Sequence, residues 1–201
     1  MGNHLTEVYR PLVSLCERLN QLDIPWLVGG STSCLLQKVG LDRKPNDLDV
    51  YTDCRYLDQI EPFLLDWCIE PVQYSQTERY ESYLGRYRIH LTETELVANL
   101  TVRTANGRYD VEVGALLRRY APTVEIGTER IPLMPLEHEL IFNLLRGRED
   151  RYVPIAETVR QRGVDELLWQ QLQERNALSL DFWKRASALI GLSRRTGERL
   201  G

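Results

Sequence analysis

The chain has 201 residues, of which 43% are apolar and 27% charged, with a formal net charge of −4. That length suits one domain, or one domain with a small appendage, and is enough to bury a substantial core. No apolar run is long enough to span a membrane, and the acidic balance argues mildly against a dedicated nucleic-acid binder. The first residues lack the basic and apolar regions of a secretory signal. Cys16, Cys34, Cys54 and Cys68 form no Cys-x-x-Cys pair. A cytoplasmic protein with reduced thiols and no zinc site is therefore expected.

Taken in order, residues 4–20 carry apolar side chains at helical spacing, with Pro11 inside the pattern. Trp26-Leu27-Val28, bounded by Pro25 and Gly29-Gly30, has the look of a short buried strand. Residues 31–39 predict a helix, with Ser31 as its N-cap and Gly40 as its C-cap. Leu48 to Tyr51 is the second strand, Tyr56 to Trp67 a helix, and Pro71 to Tyr74 an edge strand. Tyr87, Ile89 and Leu91 then alternate with polar residues, and Leu96 to Arg103 forms a second alternating stretch. Asn106-Gly107 signals a hairpin, with Tyr109 to Val113 as the return strand. Residues 123–133 suggest a small hairpin. After Pro135 the pattern is helical, over 136–146, 153–162, 164–175 and 178–190, with a frayed end. The expected organisation is a mixed α/β unit over 1–134 followed by a helical lobe over 135–201.

Chemistry concentrates between Trp26 and Asp53. Gly29, Gly30 and Ser31 form a turn that brings backbone N–H groups close to a phosphate, with a helix start aimed at the same point. The bland alternative is a tight strand-to-helix turn. About sixteen residues later come Asp47 and Asp49, one residue apart on a strand, so that both carboxylates face one side and can share Mg²⁺. Asp110, with Glu112 as its rival, lies on a later strand and can supply the third carboxylate that metal-assisted nucleotidyl transfer uses as ligand or base. Arg43 precedes the acidic pair, and its plain reading is a solvated surface residue. Arg146, Arg148 and Arg151 either line a cleft or close a helix end. His90 and His138 lack a second ligand at metal spacing and fit solvent-exposed or capping roles. Trp67, Trp169 and Trp183 fit the core.

Trp26-Leu27-Val28-Gly29-Gly30, followed by Asn46-Asp47-Leu48-Asp49-Val50 and a later carboxylate strand, resembles the polymerase-β-type nucleotidyltransferase superfamily. The look is closest to the small aminoglycoside and lincosamide nucleotidyltransferases and to abortive-infection toxin-type transferases. The resemblance implies an α/β (α+β) fold: a mixed, mostly antiparallel sheet flanked by helices, then a C-terminal helical lobe. It implies Mg²⁺, or Mn²⁺, held by Asp47, Asp49 and Asp110, and a nucleoside triphosphate bound by Gly29, Gly30, Ser31 and Arg43. The implied reaction moves a nucleoside monophosphate, for instance from ATP, to a hydroxyl acceptor, a small molecule in the first instance. The alternatives are a toxin-like transferase acting on tRNA or protein, and a nucleotide-binding member without turnover.

Overall fold

The computed structural model describes the backbone of residues 2–192 and the side chains of residues 9–192. The expected frayed end beyond Leu192 lies outside the described residues. Helix α1 (Gly2–Leu19) accommodates Pro11 and buries Leu12, Leu15, Cys16 and Leu19, the i, i+3, i+4, i+7 face of an amphipathic helix. Strand β1 (Trp26–Gly29) leads into α2 (Gly30–Leu36), then β2 (Asp47–Thr52), α3 (Leu57–Leu64), β3 (Cys68–Gln76) and β4 (Tyr80–Ile89). Strand β5 (Thr92–Thr104), the longest, is followed by β6 (Gly107–Asp110), a π-turn over Val113–Leu117 and the short α4 (Arg118–Tyr120). The hairpin β7 (Thr123–Ile126) and β8 (Glu129–Pro132) precedes α5 (Leu136–Leu145), α6 (Glu149–Arg162), α7 (Glu166–Arg175), the two-residue β9 (Ala177–Leu178) and α8 (Leu180–Leu189).

The main sheet runs β1-β2-β5-β4-β3, and β6 joins β5 and β9. Its pairs are antiparallel except β2 with β5, which is parallel. The expected mixed, mostly antiparallel sheet with flanking helices is therefore present. Alternation sends successive side chains to opposite faces. Leu48 and Val50 of β2, with Leu96 and Ala98 of β5, pack with α1 and α3, whereas Tyr51 and Val97 join Leu140, Ile155, Trp169 and Trp183 of the later helices.

Strand β5 changes face partway. Asn99 sits at φ 50, and two residues of β5, Asn99 and Leu100, oppose the single Ser82 of β4 between the pairs Glu81–Thr101 and Tyr83–Ala98. This bulge shifts the alternation by one. Beyond it Leu100 and Val102 join the core with the later helices, and Thr101 points to the opposite side. The Asn99 side chain fixes the bulge by accepting from Cys54 N–H at 2.9 Å and donating to Cys54 Sγ at 3.0 Å.

Several expectations change in detail. Leu91 lies in the β4–β5 turn and is 95% exposed, so it is not part of the alternating strand. The helix after the glycines starts at Gly30, so Ser31 lies inside it and Gly29 is the N-cap, without a side-chain bond. Strand β6 ends at Asp110, so Glu112 and Val113 lie beyond it. His138 is not a cap but a fully enclosed side chain, bonded through Nδ1 to the Tyr109 hydroxyl at 2.8 Å; burial pushes its pKa down to about 3, which keeps the ring neutral. His90 is exposed, 3.0 Å from the Ser14 hydroxyl. Trp169 and Trp183 are buried and packed edge to face. Trp67 is half-buried, with the Arg18 guanidinium 3.7 Å above its ring.

Candidate active site

Strand β1 pairs antiparallel with β2 so that Gly29 stands opposite Asp49. Both glycines of the turn are required, for different reasons. A Cβ on Gly29 would come within 2.5 Å of the Tyr51 ring, and a Cβ on Gly30 within 2.0 Å of Asp49 Oδ2. Gly30 also adopts φ +61, the left-handed region that glycine enters without steric penalty. The turn thus lies directly against the second carboxylate of the acidic pair. Helix α2 is anchored from below: Thr32 Oγ1 donates to the Asp47 carbonyl at 3.1 Å, and Gln37 Nε2 to the Met134 carbonyl at 2.9 Å.

Asp47 and Asp49 share the face of β2 opposite Leu48 and Val50 and border one cleft of about 440 Å³. Gly30 and Ser31 form one wall with them, and Glu139, Phe142, Asn143, Arg146, Arg148 and Arg151 form the facing wall from α5 and α6. Glu95 of β5 borders the same cleft, because the parallel ladder sets it beside Asp49. Burial, then the neighbouring charges of Asp47 and Glu95, pushes the Asp49 carboxyl up to about 7, against the opposing pull of Arg146 and Arg151. A cation placed among these carboxylates would relieve that repulsion, so the residue set fits a hard divalent metal. Among the described residues no three His, Cys, Asp or Glu side chains are preset as a metal cage. Mg²⁺ is commonly held by one or two carboxylates, with water and substrate phosphates completing the sphere.

The structure does not bring Asp110 to this cleft. Its partner on β5 is Thr101, while that of Asp49 is Glu95. Six residues along a strand at ~3.3 Å each is about 20 Å. The Asn99 bulge also places Asp110 on the other face of the sheet. There it borders a separate cavity of about 580 Å³, with Oδ1 accepting from Thr101 Oγ1 at 2.6 Å and Arg108 Nε at 2.9 Å. Glu112 borders that second cavity too and is held by Arg175 in a bidentate pair at 2.6 and 2.8 Å. The third carboxylate beside the acidic pair is Glu95. Its sequence signal is an acidic residue just before the apolar run of β5, one residue ahead of the alternating stretch that begins at Leu96. Arg43 is exposed on the loop before β2 and does not border the cleft. The cations at the cleft are Arg146, Arg148 and Arg151. Arg148 is paired to Asp150 at 2.8 Å, and Arg146 packs on the Phe142 ring at 5.0 Å.

Glu139 had no role in the sequence reading beyond its helix. Buried in α5, it accepts the Gly30 N–H through Oε1 at 2.7 Å, and burial pushes its carboxyl up to about 8. Cys34 also borders the cleft, and burial raises its thiol well above the usual range.

No protein-family model matches the chain, and no curated protein matches it. Solved structures do. A protein from Thermotoga maritima, described as a candidate nucleotidyltransferase, is 30% identical, with a TM-score of 0.61 over 78% of this chain and 92% of its own. The antibiotic-resistance factor ANT(2'')-Ia is 12% identical, with a TM-score of 0.51 over 85% of this chain and 93% of that one. A crystal structure of the same factor holds adenylyl-2''-tobramycin.

Proposed function

Because this chain belongs to the nucleotidyltransferase family and has its polymerase-β-type fold, we propose that it transfers a nucleoside monophosphate from a nucleoside triphosphate to a small-molecule hydroxyl. The observation that carries this reading is the convergence of Asp47, Asp49, Glu95, Gly30, Ser31 and three arginines on one cleft. Asp47 and Asp49 would hold Mg²⁺, which supplies charge neutralisation at the triphosphate when bound. Ser31 offers a hydroxyl donor on one wall, and Arg146 and Arg151 offer cationic donors to phosphate oxygens on the other. Glu95, beside Asp49 and 3.4 Å from Arg86 Nε, accepts the proton of the attacking acceptor hydroxyl. That oxygen forms a bond to the α-phosphorus, the bond to the β-phosphate oxygen breaks, and pyrophosphate leaves. The contribution of the chain is mainly positioning and electrostatic stabilisation. The small-molecule acceptor is supported by the modest volume of the cleft.

The test is a screen of labelled triphosphates with Mg²⁺ or Mn²⁺ against fractionated small-molecule and RNA pools. Label should enter the small-molecule pool and be lost in Asp49→Ala and Glu95→Gln. Transfer that survives Asp49→Ala defeats the mechanism, and label found only in RNA defeats the acceptor class.

A further inference from the structure

We propose that Glu139 is a positioning residue that sets the glycine turn against Asp49 from the helical side of the cleft. This rests on the transferase reading above. Glu139 is 1% exposed in the first turn of α5, where a carboxyl is unfavourable unless its oxygens are bonded. Its bond is made to a residue 109 positions earlier, the Gly30 amide, at 2.7 Å. Asn143, one turn further along α5, supports it by donating to the Glu139 carbonyl at 2.8 Å and lying 3.4 Å from Oε2.

The geometry explains why the turn needs holding. With a Gly30 Cβ position only 2.0 Å from Asp49 Oδ2, the backbone here has almost no clearance. A small displacement of the turn moves it into that carboxylate or leaves the carboxylate without its wall. Glu139 also joins the two sides of the site, because α5 carries Phe142, Asn143 and Arg146 along the cleft while Gly30 opens the facing wall. One consequence bears on the expected phosphate cradle: with the Gly30 N–H given to Glu139, that amide does not face a phosphate, and Ser31 and the arginines take the larger share of its recognition. The feature that matters is an acceptor oxygen at a fixed place, which a glutamine side chain also provides.

The experiment compares wild type, Glu139→Ala and Glu139→Gln as whole chains. It measures Mg²⁺-dependent binding of an α,β-methylene triphosphate analogue, and KM and kcat for the transfer. Glu139→Ala should weaken analogue binding and raise the triphosphate KM by roughly tenfold or more, the scale of one lost hydrogen bond to a charged or buried group. Glu139→Gln should stay within about threefold of wild type. Unchanged analogue binding in Glu139→Ala, or Glu139→Gln impaired as far as Glu139→Ala, overturns the proposal. Should Glu139→Ala not fold, hydrogen exchange of the Gly30 amide in the wild-type protein decides. Strong protection supports the bond, and exchange at the rate of a free amide overturns it. If the wild type binds no analogue, the transferase reading is what fails, and the Gly30 amide still reports on Glu139.

Discussion

Asp49 and Glu139 are two carboxyls on either side of one glycine, and both are held far above their ordinary pKa, at about 7 and about 8. The sign of the resulting pH dependence is the reverse of the usual acid-labile salt bridge. Between about pH 4 and pH 8 the unfolded chain has released protons that the folded chain still holds, so stability falls as pH rises through that window. The metal-free protein should therefore melt at a higher temperature at pH 5.5 than at pH 8, by several degrees. Mg²⁺ should recover part of the loss at pH 8, since it stabilises the ionised Asp49. Scanning calorimetry across pH, with and without Mg²⁺, checks this, and a melting temperature that rises towards pH 8 without metal would contradict it. Transfer, which needs Asp49 ionised, should fall towards acid pH, and saturating Mg²⁺ should move that fall to lower pH. At this scale the acidic pair was legible from the sequence, because two carboxylates at i and i+2 among β-branched and apolar neighbours have few other reasons to be there. Glu139 was not, because an acidic residue near the start of a helix is ordinary and its partner is 109 residues away.

Elements were legible wherever a local rule governs them, and misplaced where the sheet decides. The β1–α2–β2 run follows from glycines, helical spacing and alternation. The choice between Asp110 and Glu95 depended on which strand lies beside β2, and that is a long-range parallel pairing with no short-range signature. The Asn99 bulge compounds the difficulty: a single extra residue reverses which face every later side chain of β5 meets. The hairpin after it was readable from Asn106-Gly107, and its glycine carries a testable load. Gly107 adopts φ +120, and a Cβ there would lie 2.0 Å from the Ala177 carbonyl oxygen of β9. Gly107→Ala should destabilise the protein by about 2–4 kcal/mol, from backbone strain and displacement of the β6–β9 pair. Urea unfolding measures this, and a loss under roughly 0.5 kcal/mol, as for a neutral surface change, would contradict it.

At the scale of the whole molecule, the expected boundary near residue 134 does not divide the core. Leu27, Tyr51, Val97 and Tyr109 pack in the same cluster as Leu140, Ile155, Trp169, Trp183 and Ile190. The composition shift that suggested two lobes is real, but the later helices supply most of the cover of the sheet face opposite α1. A chain ending at residue 134 would expose that face. The whole chain should therefore unfold in urea as one transition, with tryptophan fluorescence and far-ultraviolet circular dichroism superimposing. The piece 1–134 should show no cooperative transition. Two separated transitions, or a cooperatively folding piece, would refute a shared core.

Strand β3 closes the sheet on its far side with nine residues and no neighbour beyond it in the described fold. Such an edge, carrying Ile69 and Tyr74 largely in solvent, is a template on which another chain could add a strand and begin to aggregate. Two of its features resist this. Pro71 removes one amide donor from the row, and Glu70 places a charge beside it. The register against β4 slips between Cys68 and Glu70 and again between Glu70 and Gln73, so the outer row of backbone groups is bent out of line. The colloidal behaviour of this protein, at the concentrations a cell or a crystallisation drop imposes, thus depends on one edge strand far from its chemistry.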